Sequence, residues 1–194
     1  MIDLRVGVFT TLISKNQQKY LSESPLFDFE LIDAAPLGKS RFFYFFHHGM
    51  KNIKNIFRNL EKKLKQASWF EPDWEIFNRG EYLQLYKANW HNENQGGIHF
   101  ETYIEAPQIK EKAFPICMHA EDDCPSQQLF IQKFLEIEGD RISQWKGYRT
   151  VGKGYTICQR SMPLNFKNLE QRLFEELNQL RKLEPGVELA LRSL

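Results

Sequence analysis

Two neighbouring segments of the sequence, residues 97–105 and 113–121, alternate apolar and polar side chains and carry residues that can do chemistry. In a β-strand this period of two places successive residues on opposite faces. If the segments pair as an antiparallel hairpin, burial of the apolar set fixes the register, with His99 opposite His119 and Glu101 opposite Cys117. One solvent-exposed face then carries His99, Glu101, Tyr103, Cys117, His119 and Glu121.

This polar face could support two kinds of chemistry. Imidazole, thiolate and carboxylate groups about 5–8 Å apart across a strand pair are typical ligands of zinc and other transition metals. The candidate metal ligands are His99, Cys117, His119 and Glu121. A thiol beside a histidine can also act as a nucleophile, so the candidate catalytic residues are His99, Glu101, Cys117 and His119. The ordinary polar outer face of a sheet competes with both hypotheses, and we predict no cofactor beyond this candidate metal.

The residues that follow the second segment predict the start of a helix rather than a further ligand group. Asp123 is a suitable N-cap, and Pro125 suits the first turn of a helix. The spacing of Cys117 and Cys124 does not match a structural zinc site. Cys158 lies in a later apolar segment and is expected to be a small buried side chain.

The elements that must position these residues can be read from hydrophobic periodicity. Residues 4–13 and 26–33 predict two strands, and residues 51–66 have the i+3/i+4 apolar spacing of a helix. Residues 40–50 fit either a strand or an extension of that helix. The remaining predicted elements are strands at 81–90, 97–105, 113–121 and 151–162, a helix after Pro125, and a leucine-faced helix after Asn165 or Asn168.

This order, roughly β-β-α-β-β-β-α-β-α, indicates an α+β fold with an antiparallel sheet and helices packed on one face. A chain of 194 residues has the length of one ordinary domain. We therefore predict a single α+β domain over residues 1–194, in which residues 1–48 could form a β-rich N-terminal extension.

Composition argues against several classes of function. A net charge of +1 is not that of a general polyanion binder. The sequence contains no apolar run near the ~20 residues that a membrane span requires, and its beginning does not resemble a signal peptide. The three cysteines are an odd number, which favours free thiols and a cytoplasmic location.

The charges are unevenly distributed, which indicates a binding surface. Residues 49–68 carry six basic residues against one acid, whereas residues 69–147 carry fourteen acids against seven bases. Together with sixteen Phe and four Trp, this favours a binding domain that engages a protein partner or self-associates, for example as a homodimer. The candidate partner or nucleic-acid surface on helix 51–65 is Lys51, Lys54, Arg58, Lys62 and Lys65.

Two other functions compete with this interpretation. The first is a metal- or thiol-dependent enzyme that uses the His, Cys and Glu cluster on the sheet face. The second is a nucleic-acid accessory protein whose basic helix contacts phosphates. We favour nucleic acid less, because no recognition motif accompanies the basic helix.

Overall fold

The computed structural model describes residues 41–91 and 96–194, with only the backbone of residues 41–51 and 153. In chain order the elements are α1 (Arg41–Lys65), β1 (Trp74–Asn78), β2 (Tyr82–Lys87), β3 (Ile98–Tyr103), α2 (Ala106–Glu111), β4 (Ala113–Ala120), α3 (Gln127–Ser143), β5 (Arg149–Lys153), β6 (Thr156–Pro163), α4 (Leu169–Arg181) and α5 (Glu184–Leu191). The strands predicted at 4–13 and 26–33 lie outside the described residues. The assignment of residues 1–194 to one domain stays a prediction.

The six strands form one sheet in the order β1-β2-β3-β4-β6-β5, and every neighbouring pair is antiparallel. The predicted α+β class with an antiparallel sheet is therefore confirmed. Strands β3 and β4 occupy the middle of the sheet, where both edges of each strand are hydrogen-bonded to a neighbour. Side chains on these two strands are consequently held by a backbone that is hydrogen-bonded on both sides.

The core lies between the helices and one face of the sheet. The predicted stripe of α1 is fully buried at Ile53, Phe57, Leu60 and Leu64, and so are the leucines of α4. They pack with inward-facing strand residues that include Leu83, Phe100, Ile116 and Met118. Each such side chain stabilises the fold by about 1.5–3 kcal/mol through burial. This apolar face fixes which residues of β3 and β4 must point the other way.

Residues 41–50, for which the sequence allowed two structures, continue α1 as an α-helix. The run of aromatic residues there keeps the helical spacing of the apolar stripe. Among the described residues, no helix is both long enough and apolar enough to cross a membrane.

Four elements differ from the prediction. Strand β1 was not predicted, and the connection at 107–112 contains α2. The single strand expected at 151–162 is a hairpin, because Gly152 and Gly154 adopt positive φ angles that allow the chain to reverse. The leucine-faced helix ends at Arg181, and a further helix that was not predicted, α5, begins at Glu184. Pro185 lies in the first turn of α5, where a proline loses no helix hydrogen bond.

Candidate metal centre

Strands β3 and β4 pair in the register that the alternation predicts. His99 lies opposite His119, Phe100 opposite Met118, and Glu101 opposite Cys117. The register is confirmed because Phe100 and Met118 belong to the buried apolar face, so that a slip by one residue would expose them.

The prediction that this face is exposed to solvent is wrong for four of its six residues, whereas Tyr103 and Glu121 are partly exposed. The exposed fraction is 0% for His99, 5% for Glu101 and 7% for His119, and Cys117 is equally buried. Strand β2 extends the face, because Gln84 lies opposite Glu101. Polar groups removed from water in this way cost free energy unless they find partners. The hydrogen bonds of each residue therefore indicate whether the face has a structural or a functional role.

His99 is oriented by the backbone. Its Nδ1 lies 3.1 Å from the carbonyl oxygen of Gly96, which can only accept a hydrogen bond, so Nδ1 carries the proton. Its Nε2 then points toward Glu101, 3.2 Å from Oε2, and lies 3.0 Å from Nε2 of Gln84. Metal-binding histidines commonly donate their other ring N–H to a backbone carbonyl in this way.

Asp123 supports the same peptide group from its other side. The N–H of Gly97 donates to Asp123 Oδ1 over 2.5 Å, and this N–H and the carbonyl of Gly96 belong to one peptide unit. A side chain at residue 96 would collide with the Asp123 carboxylate. The predicted role of Asp123 as a helix N-cap is wrong, because α3 begins later, with Ser126 at its N-cap position.

His119 is buried without a hydrogen bond for Nδ1. This atom lies 3.6 Å from Glu101 Oε1 and 3.6 Å from Glu121 Oε1, beyond hydrogen-bond distance. The register between β4 and β6 shifts between Met118 and His119, an irregularity that can redirect a side chain next to a functional site. An unsatisfied buried polar atom costs about 1–3 kcal/mol of stability. Nδ1 of His119 therefore lacks a partner that would offset the cost of its burial.

The three side chains converge on one point. One donor atom each from His99, Glu101 and His119 lies within 4.8 Å of the others. His99 Nε2 lies 3.2 Å from one oxygen of the Glu101 carboxylate and His119 Nδ1 lies 3.6 Å from the other. Ligands bound tetrahedrally at about 2.0–2.1 Å from zinc are about 3.3 Å apart, so small side-chain movements would bring one donor atom of each residue to an ion. The group has the size and the chemical composition of a three-ligand metal site.

Glu101 carries the charge that such a site needs. Burial by itself would raise the pKa of Glu101. The contacts of the carboxylate with His99 and His119 and its hydrogen bond with Tyr82 outweigh burial and hold the pKa below its ordinary value. Glu101 is therefore a carboxylate at neutral pH.

Cys117 lies on the same face but outside the donor group. Its Sγ lies 3.7 Å from the backbone oxygen of Glu101, and burial raises the pKa of the thiol well above its ordinary value. Because the thiolate is the nucleophile and the metal ligand, this environment disfavours both roles proposed for Cys117. Glu121, the other predicted ligand outside the group, lies at its edge near His119.

A concave pocket of about 440 Å³ borders the donor group. It is lined by Tyr82, Glu101, Tyr103, Glu105, His119, Glu121 and Tyr155. The sequence interpretation missed Tyr82 and Tyr155. The alternation of side chains along β2 could have placed Tyr82 on this face, because Tyr82 lies opposite Tyr103. Tyr155 lies in the turn between β5 and β6, and no local pattern marks it.

The predicted basic surface on α1 is partly neutralised within the chain. Lys54 lies 3.7 Å from Glu81, and Lys65 lies 2.6 Å from Glu61. Arg58 and Lys62 are exposed, and the side chain of Lys51 lies outside the described part of the molecule. A protein partner, self-association and nucleic-acid binding through this surface stay predictions.

Comparison of the chain with protein-family models, with curated proteins and with solved structures finds no match. The function must therefore be inferred from the geometry of the site.

Proposed function

We propose that the protein is a metal-dependent enzyme in which His99, Glu101 and His119 bind one divalent transition-metal ion. The observation that carries the proposal is the buried Nδ1 of His119, which has no hydrogen bond and lies beside a carboxylate and a second histidine. An ion among the three donor atoms would give His119 the partner that it lacks.

Protonation of the histidines explains the arrangement less well. A protonated His99 could donate to Glu101 Oε2 and satisfy that pair without a metal. It would still leave Nδ1 of His119 3.6 Å from the nearest carboxylate oxygens. A cation, in contrast, accepts electron pairs from all three residues at once.

The ligand set indicates the kind of chemistry. Two histidines and one carboxylate leave coordination positions open for water or substrate, as in catalytic zinc sites and in non-haem Fe(II) sites. In a zinc site, the bound ion would lower the pKa of a water molecule toward 7. Glu121 lines the adjoining pocket and could accept a proton there. We therefore propose metal-assisted hydrolysis, with oxidative Fe(II) chemistry as the alternative if the purified protein contains iron.

Metal binding tests the proposal directly. Protein stripped with a chelator is titrated with Zn²⁺ by calorimetry, and the metal content of untreated protein is measured by elemental analysis. We expect one ion per chain and at least a 100-fold loss of affinity in His99→Ala and His119→Ala. His91→Asn is the matched control, because His91 is exposed and asparagine tolerates its positive φ. Equal Zn²⁺ affinity in all variants would rule out the site.

Asp123 offers a second test, because it orients His99 only through a peptide group. Asp123→Ala should weaken Zn²⁺ binding about 10- to 100-fold, the usual effect of removing such a supporting contact. Asp123→Asn keeps a hydrogen-bond acceptor and should recover part of the affinity. The control is the exposed neighbour Asp122→Ala, which should bind Zn²⁺ like the natural protein. If the Asp122 and Asp123 variants behave alike, Asp123 has no positioning role.

We further propose that the protein works in the cytoplasm. Cys117, Cys124 and Cys158 are all unpaired and buried, which supports a reducing compartment. Association into a homodimer stays a prediction, and sedimentation of the full chain at low and high salt would test it.

A further inference from the structure

The pocket beside the donor group combines aromatic walls with negative charge. Three of its seven lining residues are tyrosines and three are glutamates, and none of the described lining residues is lysine or arginine. We propose that this pocket binds a small organic ammonium ion, which is the substrate class of the proposed metal centre. The assignment of this ligand as substrate rests on the proposed function, whereas its binding requires only the pocket.

The aromatic walls fit such a cation. The Tyr155 ring is half exposed and packs edge-on against His119, with 4.9 Å between the ring centroids. Tyr82 and Tyr103 are partly buried on the neighbouring strands. An ammonium group over the face of a tyrosine ring is attracted by the ring quadrupole, and the attraction grows as water is excluded.

The electrostatic field in the pocket is negative. Glu101, Glu105 and Glu121 all line it, and no lysine or arginine is among the lining residues that the structure describes. An anionic ligand would be repelled by these carboxylates, whereas a cation would be attracted.

Glu121 is the best counter-ion for the ligand. Glu105 is already occupied, since its side chain accepts a hydrogen bond from the backbone of α2 as the N-cap of that helix. Glu101 belongs to the donor group, where a divalent ion would offset its charge. The side chain of Glu121 is about one-third exposed and lines the pocket. The pocket has a volume of about 440 Å³ and is open to solvent, so a small ligand could enter it directly.

The test compares choline with 3,3-dimethylbutan-1-ol, a neutral molecule of nearly the same shape. Each is titrated into the full chain with and without Zn²⁺, and binding is followed by calorimetry or by ligand-observed NMR. We expect choline to bind at least 10-fold more tightly than the neutral alcohol. Tyr103→Leu and Glu121→Gln should each weaken choline binding at least 5-fold. Glu75→Gln, which removes an exposed carboxylate outside the pocket, should have no effect.

The outcomes separate the two proposals. Choline binding without any Zn²⁺ binding would support the pocket and overturn the metal centre. Zn²⁺ binding with equal or undetectable affinity for the two probes would support the metal centre and overturn the ammonium pocket. If Tyr103→Leu and Glu121→Gln both leave choline binding unchanged, the ammonium pocket would also be overturned, because the cation would then be bound elsewhere.

Discussion

Two charged clusters of this protein, one partly buried and one buried, differ in how completely their polar atoms are paired. In the first, the Arg160 guanidinium donates to one oxygen of Glu176 over 2.5 Å, and the Tyr148 hydroxyl donates to the other over 2.8 Å. In the second, His99 Nε2 lies 3.2 Å from Glu101 Oε2, and His119 Nδ1 has no hydrogen bond. Only the second cluster borders the 440 Å³ pocket described above.

This difference in pairing shows that buried charge alone does not identify a functional site. The cluster of Tyr148, Arg160 and Glu176 joins β6 to α4 and the segment before β5 with each carboxylate oxygen paired, as expected of a structural contact. The cluster of His99, Glu101 and His119 keeps an unsatisfied atom in the middle of the sheet. Retaining such an atom has a cost in stability, which a ligand would offset.

The largest effect on stability is expected in the cluster of Tyr148, Arg160 and Glu176. Glu176→Ala leaves Arg160 without its carboxylate, and we expect the free energy of unfolding to fall by about 2–3 kcal/mol. This is below the range for fully buried pairs because the Arg160 side chain keeps 27% of its exposure. Urea unfolding followed by circular dichroism measures the change. A loss below about 0.5 kcal/mol would mean that this cluster is not a structural contact.

Removing one polar atom from each cluster should have opposite results. Tyr148→Phe deletes a hydrogen bond to a carboxylate and should lower the free energy of unfolding by about 1–2 kcal/mol. His119→Leu deletes an atom without a hydrogen bond and, in the presence of chelator, should leave stability unchanged or raise it by up to about 1 kcal/mol. The measurement is thermal or urea unfolding of both variants. A marked destabilisation by His119→Leu would indicate that Nδ1 already has a partner.

The smallest effect is a pH dependence at Glu101. A carboxyl group whose pKa is lowered by folding contributes stability above its unfolded pKa of about 4.3, and that contribution is lost as the pH falls through the lowered value. Glu101→Gln removes this contribution. We therefore expect the difference in unfolding free energy between the natural protein and Glu101→Gln, with chelator present, to shift against the natural protein between pH 6 and pH 3. A constant difference would contradict the lowered pKa.

The sequence alone predicts the class of fold and the arrangement of His99, Glu101, Cys117 and His119 across the hairpin. This succeeds because side-chain alternation has a strict period and burial of one face fixes the register. The same alternation cannot reveal that the second face is also buried. It shows which residues share a face, and it identifies only the apolar face as part of a core. For this reason the environment of Cys117, and with it the chemistry of its thiol, was not predictable.

Long-range contacts account for the other differences between the predicted and the observed structure. Asp123 satisfies the local rule for a helix N-cap, yet it binds the N–H of Gly97, a residue distant in sequence. The pocket residue Tyr155 is placed by a glycine-containing hairpin that resembles one continuous strand in the sequence. Local propensities do not contain the free energy of such contacts, so they cannot choose between the two structures.

The three donor residues all belong to β3 and β4, which pair directly and are connected only through α2. A hairpin displaced by one residue would separate His99 and His119 onto opposite faces. An ion that requires both histidines would thus bind only the correctly aligned strands. At an ion concentration 100-fold above its dissociation constant, that selectivity would favour the native alignment by about 2.7 kcal/mol. Metal supply during synthesis would then influence the yield of correctly assembled sheet as well as the activity of the finished protein.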